Sequence, residues 1–421
     1  MLTRRSVLKT GAAAAASTLA LPALARGGPI RIGYVSPQSG PLSAFAEADA
    51  YVIENFTKAA AAQGFPVEVI VKDSQSNPNR AAEVARELIV RDEVHMICVA
   101  STPETTNPVC TIAEAEEIPV ISSVAPWQPW FIGQQGNPAD PASWQEFDYV
   151  RHFFWGLEDN VGVFMNLWDK IDSNKSVGAL WPNDGDGNAW ASDVGMPPAL
   201  AGAGYRLTDP GRYQNLTDDF SAQINAFKQN ECEIMVGIPI PPDFTTFWTQ
   251  AKQQGYSPKM VSVAKALLFP ESVAALGELG HNLTCEVWWS PHHPYTSSLT
   301  GQSAADLAGE FEDYAKRQWT MPLGFIHGLF EVALDAIKRA DDPTDGDEIA
   351  ELVGTTNLDT VVGKVQWGRD NLPPFAQKNV SKTPLVGGQW RMQDDGSFDL
   401  VIVDNTLAPD IPVTGALETL G

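Results

Sequence analysis

Positive charge, histidine and cysteine are scarce in this 421-residue chain, and beyond its first residues no apolar run is long enough to span a membrane. Lys and Arg number 28 against 52 Asp and Glu, a formal charge of −24. A field of that sign repels phosphate backbones and anionic lipid, so nucleic acid is not an expected partner. The four cysteines include no C-x-x-C, which argues against a thioredoxin-like dithiol. The six histidines have no evident nucleophile beside them, and G-x-S-x-G, P-loop and H-E-x-x-H patterns are missing. No catalysis is therefore expected. His292 and His293 are adjacent, so in a strand they point apart and make a poor metal pair. Asp184-Gly185-Asp186-Gly187-Asn188 has the look of a calcium loop, but its twelfth position is Gly195 where that loop needs Glu. Neither metal nor cofactor is expected.

The first residues read as an address rather than as fold. Arg4-Arg5 with Leu8 and Lys9, an apolar stretch from Gly11 to Leu21 and the small residues Ala23 and Ala25 resemble a twin-arginine export signal cut after Ala25. No cysteine stands at the cut, so a free periplasmic protein is expected rather than a lipoprotein. In that compartment the four cysteines can pair in three ways. Cys98, in a predicted strand, and Cys110, in the predicted helix after it, are a plausible pair. Buried free thiols are the other outcome.

What remains is rich in alternation. Apolar strands at 30–35, 67–71, 94–100 and 119–121 alternate with helical spacing at 45–60, 79–91 and 109–115. Residues 125–148 break the pattern with Pro126, Trp127, Pro129, Trp130, Pro138 and Pro141, and read as a long functional loop. Alternation resumes with strands at 177–181, 234–237, 260–263 and 285–289, then helices at 306–319, 326–339 and 348–353, and late strands at 362–367 and 398–403. The pattern predicts an α/β protein with two lobes built on parallel sheets. In such sheets ligands bind beyond the carboxyl ends of the strands. The residues after each strand are therefore the candidate site. Trp127, Trp130, Trp181, Trp288 and Trp289 lie at strand ends or in the long loop, and predict a cleft with aromatic walls.

Ile30-Arg31-Ile32-Gly33-Tyr34 followed by Ser39-Gly40-Pro41, Asp73-Ser74-Gln75-Ser76-Asn77-Pro78, Ala81 to Ile89, Ile118 to Ser122 and Thr360 to Val365 carry a resemblance. In their order and spacing they resemble the branched-chain-amino-acid-type substrate-binding proteins of ABC importers, on the class I periplasmic binding protein fold. The resemblance implies two Rossmann-like lobes joined by a three-crossover hinge, an N-terminal lobe of residues 27–150 plus 291–360 and a C-terminal lobe of 151–290 plus 361–421. It implies a monomer that binds a small molecule, closes by hinge motion and docks on permease subunits. It carries binding roles onto Ser39, Ser43, Ser101, Thr102, Ser123 and Trp127 in the first lobe. Trp181, Asp186, Lys265 and Trp288 are the second-lobe candidates. The amino-acid binders place an acid for the ligand's ammonium in a late loop; here that stretch reads Ser262-Val263-Ala264-Lys265-Ala266, with no acid. Lys265, where it faces the cleft, would attract an anion instead, so an aromatic or hydrophobic carboxylate is the expected ligand; a branched-chain amino acid or amide binder, or a ligand-sensing receptor subunit on the same fold, is the alternative.

Overall fold

The computed structural model describes residues 28–420, so the expected export segment lies outside the described residues. Five strands come first: β1 (Ile30–Ser36), β2 (Val67–Asp73), β3 (Met96–Ala100), β4 (Val120–Ser123) and β5 (Val150–Phe153). Five more follow: β6 (Ser176–Leu180), β7 (Arg206–Thr208), β8 (Ile234–Gly237), β9 (Met260–Val263) and β10 (Thr284–Val287). Then come the hairpin β11 (Asn357–Thr360) and β12 (Gly363–Gln366), the short β13 (Val380–Ser381), and β14 (Val386–Met392) with β15 (Phe398–Asp404).

They form two α/β lobes. One sheet has the order β13-β5-β4-β3-β1-β2 and the other β15-β14-β10-β9-β8-β6-β7. Every pairing in the first is parallel. The second is parallel through β10, where the antiparallel β14 and β15 are added. Covering helices explain the strand composition: β3, Met-Ile-Cys-Val-Ala, is buried at every position, as a strand packed on both faces must be. Helix starts are equally local. Asn77 accepts hydrogen bonds from the Asn79 and Arg80 N–H groups, and Pro78 opens the helix Pro78–Val90.

The chain passes between the sheets three times: after β5, after β10, and between β13 and β14. The last passage falls at residues 382–385, so the chain returns to the first sheet well beyond residue 360. Strand β13 is only two residues long, too short for a periodic signal. The stretch 125–148 is not all loop. Pro126 leads into the helix Trp127–Ile132, which buries Trp127, Trp130 and Phe131 at helical spacing. The four cysteines are free and buried. Cys98 and Cys110 belong to different core clusters, on opposite faces of the first sheet, which is why strand and helix do not pair them.

Candidate functional site

The two lobes face each other across a narrow gap with almost no free space. Its first-lobe wall comes from chain that has just left a strand. After β3, Ser101 and Thr102 lead into the helix Pro103–Ala115. Both are buried, and neither hydroxyl has a hydrogen-bond partner. After β4, Val124 and Pro126 line the gap. Val124 holds φ at 71°, a rare conformation for a β-branched side chain. After β5, Phe154 and Trp155 close that side, with the Trp155 indole N–H buried and unpartnered.

The second-lobe wall carries charge. Asp184 caps the helix Gly185–Trp190 by accepting from the Gly187 N–H at 2.8 Å, and Asp186 lies in its first turn. Lys265, after β9, sits at φ 61°, ψ −61°, in a strained γ-turn closed by the Ala266 N–H on the Ala264 carbonyl at 2.6 Å. Its ammonium lies 2.6 Å from Asp186 and 3.5 Å from Asp184. Burial pulls that ammonium down, but Asp184, Asp186 and Glu104 outweigh it and hold it above its ordinary value. Burial lifts the Asp186 carboxyl, against the attraction of Lys265. The two tendencies are opposed, and at 2.6 Å the ammonium and the carboxylate each stabilise the other's charged form. We therefore read the pair as ionised. One Asp186 oxygen is then satisfied; the other, Oδ1, has no partner.

Glu286 is the third acid. It stands within β10, fully buried, and burial lifts its carboxyl to about 8. The Trp288 indole N–H approaches one oxygen at 3.4 Å, while Oε2 has no partner. The Trp288 ring packs edge-on to Phe154, with centroids 4.9 Å apart.

Contacts across the gap hold the lobes together. The Gly185 N–H donates to Glu104 Oε1 at 2.6 Å. Phe45 and Phe269 meet edge to face at 5.0 Å. Arg317 lies 3.5 Å from Glu47 on its own lobe and 3.4 Å from Glu271 on the other. The structure is thus a closed one.

Of the residues singled out from the sequence, Thr102, Asp186, Lys265 and Trp288 line the gap, and Ser101 adjoins it. The others lie elsewhere. Ser39 is exposed and donates to Asp73 at 2.6 Å; Ser43 is exposed. Ser123 donates to the Phe153 carbonyl at 2.6 Å. Trp127 belongs to the first-lobe core beside Phe375, and Trp181 is buried under the Arg212 guanidinium. Phe45, Phe154, Trp155 and Glu286 were not foreseen. Trp155 follows β5, a strand whose Arg151 and His152 hide it from an apolar-run reading.

A profile described as periplasmic binding protein matches residues 29–377, most of the chain. The chain belongs to the periplasmic binding protein family. Its fold is that of the branched-chain-amino-acid type within class I. This binding protein is similar to the leucine binding protein LivK of Thermotoga maritima MSB8, with TM-score 0.71 and 18% identity over 90% of this chain and 99% of that one. LivJ of Streptococcus pneumoniae str. Canada MDR_19A, solved with isoleucine, gives TM-score 0.68 and 17% identity over 90% and 100%. A solute binding protein of Rhodopseudomonas palustris BisB5, solved with 3,4-dihydroxybenzoic acid, gives TM-score 0.70 and 14% identity over 90% and 99%. At these identities the likeness is one of fold. No curated protein sequence matches the binding protein significantly. Its family is one of extracytoplasmic, non-enzymatic ligand binders of ABC transporters, and among the described residues no helix is long and apolar enough to cross a membrane.

Proposed function

We propose that this binding protein captures a compact organic solute in the periplasm and presents it, by closure of its two lobes, to the permease subunits of an ABC importer. It acts as a monomer and leaves the solute chemically unchanged. One observation carries the reading: residues of both lobes that carry buried, unpartnered polar atoms line one gap. Such groups cost about 1–3 kcal/mol each when left unsatisfied, and a bound molecule relieves that cost. A solute touching both walls favours the closed form, because it gains contacts there that the open form lacks.

Ser101 and Thr102 stand at the start of the helix Pro103–Ala115, where free N–H groups and hydroxyls suit the oxygen of a carboxylate or carbonyl. Phe45, Phe154, Trp155 and Trp288 suit a ring or branched apolar body. The aromatic or hydrophobic carboxylate expected from the sequence fits those two features. Lys265 adds nothing to it, since two aspartates already occupy its ammonium. The test is native mass spectrometry of protein purified from its own host, with a thermal-shift screen. A solute at one hundred times its dissociation constant should add about 2.7 kcal/mol of stability. Absence of any carried molecule, with no stabilisation by amino acids, amides, amines or aromatic acids, would refute solute capture.

A further inference from the structure

The gap gathers more carboxyl groups than its one ammonium can pair. Lys265 is matched by Asp186 at 2.6 Å and Asp184 at 3.5 Å, and Glu104 is close by, held on the Gly185 N–H. An anion placed there would become a further negative group around one ammonium. Glu286 remains. It is 1% exposed, its Oε2 has no partner, and among the described residues no cation lies within ion-pair distance. Asp186, 2% exposed, contributes a second unpartnered oxygen, Oδ1, to the same gap. A buried carboxyl without a counter-charge keeps its proton in the empty gap, and a cation beside it favours the ionised form. Trp155 and Trp288 stand beside these acids, and the faces of such rings attract cations.

We infer that the solute carries a positively charged nitrogen, a protonated amine or a methylated ammonium, seated between Glu286 and Asp186 Oδ1 against Trp155 and Trp288. The inference rests on the solute-binding reading above and names the chemistry of that same site. Neither acid comes from the loop that supplies one in the amino-acid binders; that loop here holds Lys265. The positive end completes the second-lobe wall, while the hydroxyls of Ser101 and Thr102 remain for an oxygen at the other end. Closure then joins two half-sites of different polarity, and only a solute that satisfies both draws the lobes together.

The experiment has two arms. In the first, the molecule released on denaturing protein purified from its own host is identified by mass spectrometry. In the second, binding of benzylamine and choline is measured calorimetrically against benzyl alcohol and benzoate, for the parent protein, Glu286→Gln and Glu286→Asp. A released molecule bearing a basic or quaternary nitrogen is expected, with amine or ammonium probes binding more tightly than their neutral and anionic counterparts. Glu286→Gln should weaken the cationic probes about thirtyfold or more and leave benzyl alcohol within about threefold. Glu286→Asp, which keeps the charge, should recover part of the loss. The melting temperature of the empty Glu286→Gln protein should equal or exceed that of the parent at pH 8, which separates lost binding from lost folding. Release of a neutral or purely anionic solute, or benzoate binding improved or unchanged by Glu286→Gln while amines fail, overturns the cation and leaves solute capture standing. No released molecule and no binding by any probe overturns both.

Discussion

Replacing Phe45 by alanine should open the protein without unfolding either lobe. Phe45 is 3% exposed and meets Phe269 edge to face, at 5.0 Å and 79°, across the gap. Such a pair is worth about 0.5–1.5 kcal/mol beyond its burial, and full burial of a Phe side chain about 1.5–3 kcal/mol. Opening uncovers only part of the ring, so the closed form should lose about 1–3 kcal/mol. Apparent affinity scales with the population of the closed form, and the loss corresponds to about 5- to 150-fold weaker binding. Phe45 also lines the gap, so a direct contact with solute has to be separated from closure. Phe269 meets the same partner from the other lobe without lining the gap, and Phe269→Ala should reproduce the shift. Glu271→Ala is the counter-case. It removes a 3.4 Å ion pair whose carboxylate side chain is 62% exposed, worth less than about 1 kcal/mol, or under about fivefold. Calorimetry with the carried solute gives the affinities, and small-angle scattering of the empty proteins gives the open fraction. Phe45→Ala and Phe269→Ala proteins that bind within twofold of the parent, or a Glu271→Ala loss as large as theirs, would refute closure through the aromatic pair.

Two further outcomes bear on the hinge and on the buried acids. Gly324 lies in the helix Pro322–Arg339, and a Cβ there would sit 2.4 Å from Cγ of Trp289, which is buried just after the second crossover and donates to the Val361 carbonyl at 3.1 Å. Gly324→Ala should therefore cost about 1–3 kcal/mol, with about 2–4 °C of melting temperature per kcal/mol, and an unchanged melting curve would show that this packing is not tight. Asp49 is buried, accepts from Tyr34 at 2.9 Å and Ser36 at 2.5 Å, and is lifted by burial from 3.8 to about 7. A carboxyl raised on folding keeps its proton longer in the folded state, so stability falls as pH rises from about 4 to about 7. Asp49→Asn should shrink the difference in unfolding free energy between pH 5 and pH 8 by up to about 3 kcal/mol; an unaltered difference in urea titrations would show that Asp49 is not the group responsible.

Most of the fold is legible in the sequence because its central strands are buried on both faces and read as short apolar runs between turn residues. Strands β1, β3, β4, β8 and β9 announce themselves in this way. The strands that escape notice have a reason each. In β5, Val150-Arg151-His152-Phe153, two buried polar side chains break the run: Arg151 donates to three carbonyls, and His152 lies between Ser122 and the Ala125 carbonyl. In β14 the adjacent Gly387 and Gly388 read as a turn, yet both sit in the ladder because Leu167 and Val287 leave no room for a side chain. A chain that crosses three times also hides its lobe limits, since no linker composition marks residues 382–385.

The site divides along a similar line. Ser101, Thr102, Asp186, Lys265 and Trp288 are recoverable because they follow strands, where a parallel sheet presents its loops to a ligand. Tryptophan content was a poorer guide. Trp127 and Trp181 also sit at strand ends, but their rings turn inward, and proximity to a strand end does not fix which way a side chain points. Glu286 is the residue that position alone could not yield, because it lies inside β10 rather than after it. Its signal was of another kind. Thr284-Cys285-Glu286-Val287 occupies the register of a strand covered on both faces, and all four residues are buried. An acid in such a strand has no solvent face to turn to, so it either keeps its proton or takes a cationic partner, from the fold or from outside. None of the described ion pairs reaches Glu286, and the gap between the lobes is where its free oxygen can find one.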